Sequence, residues 1–173
     1  MTGDYTRIHI YGDSVLRKIS EEVTDFDGGL CRLVENMTES MYVNNGIGLA
    51  GPQVGVSQKI TVIDLSFGEE VGNTLTLINP QILEKEGEST GEEGCLSVPG
   101  IYEDITRAEK IAFRYQDLDG NIHEKEAEDF LARVILHETD HLDGILFVDR
   151  LSTVKRKLLS KQLRSLAQKC ESK

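Results

Sequence analysis

Several residue types are scarce in this chain, and their scarcity excludes whole classes of protein. The 173 residues include no tryptophan, four histidines and three cysteines, which are Cys31, Cys95 and Cys170. Because the cysteines are odd in number and widely spaced, they exclude a disulfide framework and suit a reducing compartment. Apolar runs are short, so the sequence predicts neither a signal peptide nor a transmembrane helix. We therefore expect a cytoplasmic protein of one domain, spanning residues 1–173.

Basic residues are fewer than acidic residues in this chain, 19 against 30. The formal net charge is −11 at pH 7, and so acidic a chain is a poor general ligand for phosphate backbones. Basic residues nevertheless concentrate in residues 154–169, "VKRKLLSKQLRSLAQK". We interpret this segment as the solvated face of a helix, and contact with RNA or a ribosome surface is the alternative.

The order of the predicted elements favours an α+β fold. Apolar spacings of three and four predict a helix from about Leu30 to Val43, which "NNG" then ends. Short β-branched stretches predict strands at Lys59 to Leu65 and Thr74 to Leu83, where Pro80 implies an edge position or a break. Strands that follow one helix and precede others argue against alternating βαβ units.

The second half of the chain predicts a hairpin and then helices. Residues 110–128 resemble two strands joined by the turn "DLDGN", with Asp119 and Gly120 in the bend. Helical spacing returns from about Asp129 and ends near Gly144. A last amphipathic helix closes the chain, and its predicted apolar line comprises Val154, Leu158, Leu159, Leu163 and Leu166.

The segment "HETDH" carries two of the four histidines, His137 and His141, at ligand spacing. Residues four apart on a helix share a face, so both imidazoles can reach one ion. Glu138 flanks that face, where its carboxylate can take a proton from a metal-bound water without being a ligand. The alternative is a pair of surface histidines on an acidic helix. Two histidines leave a catalytic metal one protein ligand short.

Two other stretches are candidates to complete the site. In "EEGCLSVPG", glycine and proline surround Cys95, and such irregular backbone can direct a thiolate inward. Taken alone, Cys95 is as readily explained as a small buried hydrophobe. The glycine-rich loop "GIGLAGPQVG" lacks the form of a phosphate loop, but it holds Gln53 beside Pro52. A fixed amide donor of this kind suits a developing oxyanion.

Together these stretches resemble the peptide deformylase family, which removes the formyl group from N-formylmethionyl nascent chains. "GIGLAGPQVG" at residues 46–55 resembles its first motif, "EGCLS" at 93–97 its second and "HETDH" at 137–141 its third. "YGDSVLRK" at residues 11–18 resembles the family's N-terminal start, and the basic helical C-terminus fits the bacterial type. The likeness implies antiparallel strands around a central helix that carries the HExxH motif, with a C-terminal helix.

The resemblance also implies a role for each matching residue. The implied metal ligands are Cys95, His137 and His141. The side-chain amide of Gln53 and the backbone N–H of Leu96 would donate to the oxyanion. Glu138 would be the general base that later acts as an acid, and Ile47 and Gly48 would line the substrate. The family's metal is Fe²⁺, with zinc, nickel or cobalt able to replace it. Glu93 and Arg107 would form an ion pair that holds the cysteine segment.

The implied reaction is metal-assisted amide hydrolysis. A metal-bound water would lose a proton to Glu138 and attack the formyl carbon, and Glu138 would then protonate the leaving amine. The chain departs from the family at three positions. Gly51 stands where alanine is usual, which puts the stiffness of the loop in doubt. Ser14 replaces a proline, and Thr139 replaces a larger apolar residue and should matter little.

Two other functions share parts of this pattern. A zinc endopeptidase also uses HExxH, but it usually adds a downstream His or Glu, and only Asp143, Asp149 and Glu171 follow here. A structural metal site would close with a fourth ligand in place of water. Its candidates are Cys31, Cys170, His9 and His123.

Overall fold

The computed structural model describes residues 7–66 and 73–171. The described strands form two antiparallel sheets. The larger sheet has the order β1-β2-β3-β6-β7, and the smaller pairs β4 with β5. The strands are β1 (Gly48–Ala50), β2 (Ile60–Ile63), β3 (Leu75–Glu86), β4 (Ser89–Glu93), β5 (Glu103–Arg107), β6 (Lys110–Gln116) and β7 (Ile122–Glu128). The predicted α+β class is confirmed.

Four α-helices accompany the sheets in the described part of the chain. They are α1 (Gly28–Val43), α2 (Asp129–Leu142), α3 (Thr153–Leu158) and α4 (Ser160–Glu171). Short 3₁₀ helices occur at Ser14–Arg17, Gly51–Val54 and Phe147–Arg150. None of the described helices is long and apolar enough to cross a membrane.

Helix α1 forms where the apolar spacing predicts it. The carboxylate of Asp27 accepts hydrogen bonds from the N–H groups of Gly29 and Leu30 and caps its first turn. Asn45 ends the helix in a left-handed conformation, with φ of 56°. Its apolar face packs with β1 and β2 in one core cluster, which includes the fully buried Met37 and Met41.

Pro80 lies in β3 just beyond the residues that pair with β2, so the predicted edge position or break is confirmed. Strand β2 pairs with β3 only from Leu75 to Ile78, so among the described strands Pro80 has a neighbour, β6, on one side alone. The register with β6 shifts between Ile78 and Gln81, and Asn79 has φ of 51°. A bulge of this kind leaves one residue out of the ladder, which is how a strand interior accommodates a residue without an N–H. The predicted break is therefore a bulge.

Helix α2 is the central helix and packs against β1, β2, β6 and β7. Ten of its residues, from Ala132 to Leu142 apart from Thr139, are buried. Gly144, with φ of 71°, lies directly against the backbone of Arg17 just beyond the helix. Phe130 shares the apolar spacing of this helix with Val134 and would be expected on its buried side, but it is 53% exposed.

The predicted last helix is interrupted at Leu159. Helix α4 buries Leu163 and Leu166 against a core cluster that contains Phe147. On α3, by contrast, Val154 and Leu158 are 70% and 78% exposed. The apolar line is therefore wrong for these two positions. Ion pairs from Lys155 to Glu103 and from Arg156 to Asp149 fasten the polar side of α3 to the protein, which leaves its apolar side outside.

The predicted hairpin is confirmed. Strands β6 and β7 pair from Lys110 with Glu128 to Gln116 with Ile122. Gly120 has φ of 82°, and the carboxylate of Asp117 accepts the N–H groups of Asp119 and Asn121 across the turn.

Candidate metal centre

The two histidines of helix α2 present ring nitrogens to the same point. His137 and His141 are 8% and 1% exposed, and their ring centroids lie 5.1 Å apart. The Nδ1 atom of His137 is hydrogen-bonded to the carboxylate of Glu93 at 2.9 Å, which leaves Nε2 as its remaining ligand atom. The Nε2 atom of His141 lies 3.2 Å from Sγ of Cys95.

Cys95 reaches this point from a different element. It follows β4 after Gly94, whose missing side chain makes room for the ring of Tyr102. One ligand atom each from Cys95, His137 and His141 lies within 4.8 Å of the others. Within residues 7–66 and 73–171, this is the only group of three or more His, Cys, Asp or Glu residues that meets this spacing.

The donor set fits a first-row transition metal. One thiolate and two imidazoles are ligands that zinc and iron both accept, and three protein donors leave a position for water or substrate. The alternative closing ligands lie elsewhere. Nδ1 of His9 is bonded to Asp13 at 2.6 Å, and Nε2 of His123 is bonded to Asp117 at 2.7 Å. A structural site closed by these two histidines therefore finds no support in the described residues.

Buried charges surround Glu93 and fix its contact with His137. Arg107 donates to both of its carboxylate oxygens, at 2.5 Å and 2.9 Å, and also to Asp140 of α2 at 2.8 Å. Burial acts to raise the pKa of Glu93, but the hydrogen bonds from His137 and Arg107 outweigh it and hold that pKa at about 2. Glu93 is therefore an anion at neutral pH and keeps the Nδ1–H tautomer of His137.

Glu138 is a buried carboxyl group beside the cluster. Its side chain is 5% exposed, and its Oε2 atom has no hydrogen-bond partner among the described residues. Gly48 packs so closely on its Oε1 atom that a Cβ there would overlap it. Burial raises the pKa of Glu138 to about 7, near the value that suits a general base at neutral pH.

Gln53 is held with its amide nitrogen toward the cluster. Its Oε1 atom accepts the N–H of Ala50 at 2.8 Å, which fixes the orientation of the amide. Its Nε2 atom then lies 3.5 Å from Sγ of Cys95 and 3.2 Å from Oγ of Ser97. The N–H of Leu96 makes no hydrogen bond within the part of the chain that the structure describes. Two N–H donors thus lie next to the thiol, and that of Gln53 is engaged by Cys95 and Ser97.

The N-terminal segment links the two loops that carry these donors. The N–H of His9 donates to the carbonyl of Gln53 at 2.8 Å. Two residues later, the N–H of Tyr11 donates to the carbonyl of Ser97 at 2.7 Å. The backbone of residues 9–11 therefore sets the spacing between the Gln53 loop and the segment that follows Cys95.

A cleft of about 530 Å³ opens onto the cluster. Ile47 and Gly48 line it together with Cys95, His137 and Glu138, so the structure brings these predicted residues together. Further lining residues were not found from sequence: Asn44, Asn45, Tyr102, Phe130 and Arg133. Arg133 could have been singled out from the sequence, because it is a charged residue inside the apolar run before "HETDH".

Comparisons with known proteins agree with this geometry. The family model described as polypeptide deformylase matches residues 5–157. The chain belongs to the peptide deformylase family. Peptide deformylase from Acidobacterium capsulatum is 49% identical over 90% of this chain and 92% of its own. That from Alkalilimnicola ehrlichii is 50% identical over 92% and 89%. A peptide deformylase crystal structure from Legionella pneumophila superposes with a TM-score of 0.86 at 40% identity, over 96% of this chain and 97% of its own.

Membership makes the chain a hydrolase of protein biosynthesis, since the known function of peptide deformylases is the deformylation of nascent peptides.

The three departures from the family pattern have clear positions in the fold. Gly51 is buried, and a Cβ there would lie 2.7 Å and 2.8 Å from the carbonyl oxygens of Val56 and Gln58. Ser14 is the first residue of a 3₁₀ helix. Thr139 donates its hydroxyl to the carbonyl of Ile135, within its own helix.

Proposed function

We propose that this chain is a metal-dependent amide hydrolase that removes the formyl group from N-formylmethionyl nascent peptides and releases formate. One observation carries the proposal: a thiol and two imidazoles converge beside a buried carboxyl group without a hydrogen-bond partner, at the base of a cleft. The proposal treats residues 1–173 as a single catalytic domain.

Cys95, His137 and His141 would hold the metal. We propose Fe²⁺ as the resident ion, with zinc, nickel or cobalt able to take its place, since a mixed sulfur and nitrogen donor set accepts all four. When bound, the ion supplies Lewis acidity, which lowers the pKa of water and polarises the formyl carbonyl. The hydrogen bond that Nδ1–H of His137 donates to Glu93, at 2.9 Å, supports metal binding through Nε2.

The substrate would lie along strand β1. This strand is an edge of the larger sheet in the described part of the chain, so its outer side can pair with an extended peptide, apart from the N–H of Ala50, which Gln53 accepts. Ile47 and Gly48 line the cleft at this edge. The methionine side chain would pack against the apolar lining, to which Val134 of α2 contributes beside Ile47.

Glu138 would carry out both proton transfers. It takes a proton from the water that attacks the formyl carbon, and it then delivers a proton to the leaving α-amine as formate departs. Its burial and its lack of a hydrogen-bond partner among the described residues support this role. The Nε2–H of Gln53 and the N–H of Leu96 would donate to the oxyanion, and their position beside Cys95 supports that assignment; Gln53 would exchange its hydrogen bond to Cys95 or Ser97 for one to the oxyanion.

A comparison of matched peptides tests the proposal. Protein purified without oxygen is assayed with a formyl-Met peptide and with the same peptide lacking the formyl group, and formate and peptide fragments are both measured. We expect formate from the first peptide and no internal cleavage of either. Internal cleavage of the unformylated peptide would favour the endopeptidase alternative and contradict the proposal. Glu138→Gln serves as a control that should bind metal and release no formate.

We also propose a cytoplasmic location and a transient contact with the ribosome through the basic C-terminal helices. Support for the ribosome contact comes from helix α3, where exposed Val154 and Leu158 lie beside Lys157. Cosedimentation with ribosomes should weaken as salt increases and should also weaken in Lys157→Glu. Sedimentation that is independent of both changes would contradict this contact.

A further inference from the structure

Arg133 is a buried guanidinium one helical turn before His137 on helix α2. It is 7% exposed and lies between Ala132 and Val134 in an apolar stretch. A charge in such a position is costly unless acceptors surround it. The positions of those acceptors therefore show what the side chain holds together.

All the acceptors of Arg133 belong to the β4–β5 hairpin. Its Nη1 atom donates to Oε1 of Glu93 at 2.9 Å and to the carbonyl of Ile105 at 2.7 Å, and it lies 3.4 Å from the carbonyl of Gly91. Its Nη2 atom donates to the carbonyl of Ser89 at 2.8 Å and to Oγ of the same residue at 3.1 Å. The terminal N–H groups are thus engaged by the protein, although the side chain borders the cleft.

This bridge matters because the metal donors come from two separate units. Cys95 follows β4 of the two-stranded sheet, whereas both histidines lie on α2, and the two sheets are separate in the described structure. Arg107 makes a second bridge, from β5 to Asp140 of α2. One carboxylate oxygen of Glu93 accepts a hydrogen bond from Arg133, and the other accepts one from His137. The hairpin and the imidazole of His137 are therefore held by the same carboxylate.

We propose that Arg133 is a positioning residue for the metal site, which holds the β4–β5 hairpin against helix α2 and so presets Cys95 relative to His137 and His141. The inference rests on the proposed function of the same site. Without this bridge, the three donors must be ordered when the ion binds. Ordering them costs free energy, so the protein then binds the metal more weakly.

Cobalt binding tests this role without any assay of catalysis. The affinity of folded, metal-free protein for Co²⁺ is measured by competition with a chromophoric chelator, for the unaltered chain, Arg133→Met and Arg133→Lys. We expect Arg133→Met to bind Co²⁺ about 10- to 100-fold more weakly, with a weaker thiolate-to-cobalt absorption band. Arg133→Lys should lie between the two, because one ammonium cannot span Ser89, Ile105 and Glu93.

A matched control separates positioning from general stability. Arg114→Met removes an exposed arginine of β6 that pairs with Glu124, and it should change Co²⁺ affinity by less than about twofold. Urea unfolding of each metal-free variant gives its stability. If the Arg133 variants are less stable but bind Co²⁺ as the unaltered chain does, the bridge is merely structural and the inference is overturned. Unchanged affinity in Arg133→Lys overturns it even where Arg133→Met does not fold.

The outcome is distinguishable from failure of the proposed function. An unaltered chain that binds Co²⁺ through a thiolate but releases no formate would contradict the proposed function and leave the role of Arg133 intact. Formate release by the unaltered chain, together with unchanged Co²⁺ affinity in both Arg133 variants, would support the proposed function and contradict the role of Arg133.

Discussion

Replacing Glu138 by glutamine should stabilise the metal-free protein at neutral pH. The carboxyl group is 5% exposed, and its Oε2 atom has no hydrogen-bond partner among the described residues. Burial raises its pKa from 4.5 to about 7. The folded state therefore holds the proton more tightly than the unfolded chain does, and deprotonation favours unfolding.

The magnitude follows from that shift. A shift of two to three pKa units, at about 1.4 kcal/mol per unit, corresponds to about 3 kcal/mol of unfolding free energy. Below about pH 4 the carboxyl is protonated in both states, and the cost is absent. As the pH rises from about 4.5 to 7, the unfolded chain loses its proton first and stability falls. Glutamine does not titrate, so the advantage of Glu138→Gln should grow by about 3 kcal/mol across this range.

Urea unfolding in the presence of a chelator measures this difference. Circular dichroism is the suitable probe because the chain has no tryptophan. Each variant is unfolded at several values between about pH 4.5 and pH 7.5. The control is Glu35→Gln, which replaces an exposed carboxylate of α1 and should change the free energy of unfolding by less than about 0.5 kcal/mol. A difference between Glu138→Gln and the unaltered chain that stays flat, or shrinks as pH rises, would refute the reasoning.

Three further substitutions test other parts of the account. Gln53→Ala should lower kcat for formate release by about 10²- to 10³-fold while metal content stays the same, and unchanged kcat would remove Gln53 as an oxyanion donor. Gly48→Ala should displace Glu138 and lower kcat by about 10²-fold with metal retained, which activity and metal assays check together. Ser14→Pro should raise the free energy of unfolding by about 0.4–1 kcal/mol, since Asp13 before it already has φ of −71° and ψ of 128°. Lower stability in urea would contradict this last prediction.

The convergence of the two histidines could be predicted because helix geometry determines where they point. The spacing of His137 and His141 places them on one helical face, and their convergence needs no knowledge of the rest of the fold. The approach of Cys95 is different, because it depends on how the β4–β5 hairpin meets α2. The residues around Cys95 made it only a candidate third ligand, the family resemblance implied that it is one, and the structure brings its thiol to the histidines.

The errors arose where tertiary packing decides between equal local patterns. Val154 and Leu158 continue the apolar spacing of Leu163 and Leu166, yet no partner surface meets them, and both remain exposed. The bridging role of Arg133 could not be derived either, because its acceptors are mostly backbone carbonyls, which any sequence supplies.

Metal-edge X-ray absorption on protein purified without oxygen tests the central claim most directly. We expect one sulfur at about 2.3 Å and two nitrogens at about 2.0–2.1 Å from the ion, together with a light-atom ligand from solvent. In Cys95→Asp the sulfur contribution should disappear while the two nitrogens remain. A spectrum without sulfur in the unaltered chain, or one whose sulfur persists in Cys95→Asp, would contradict the account.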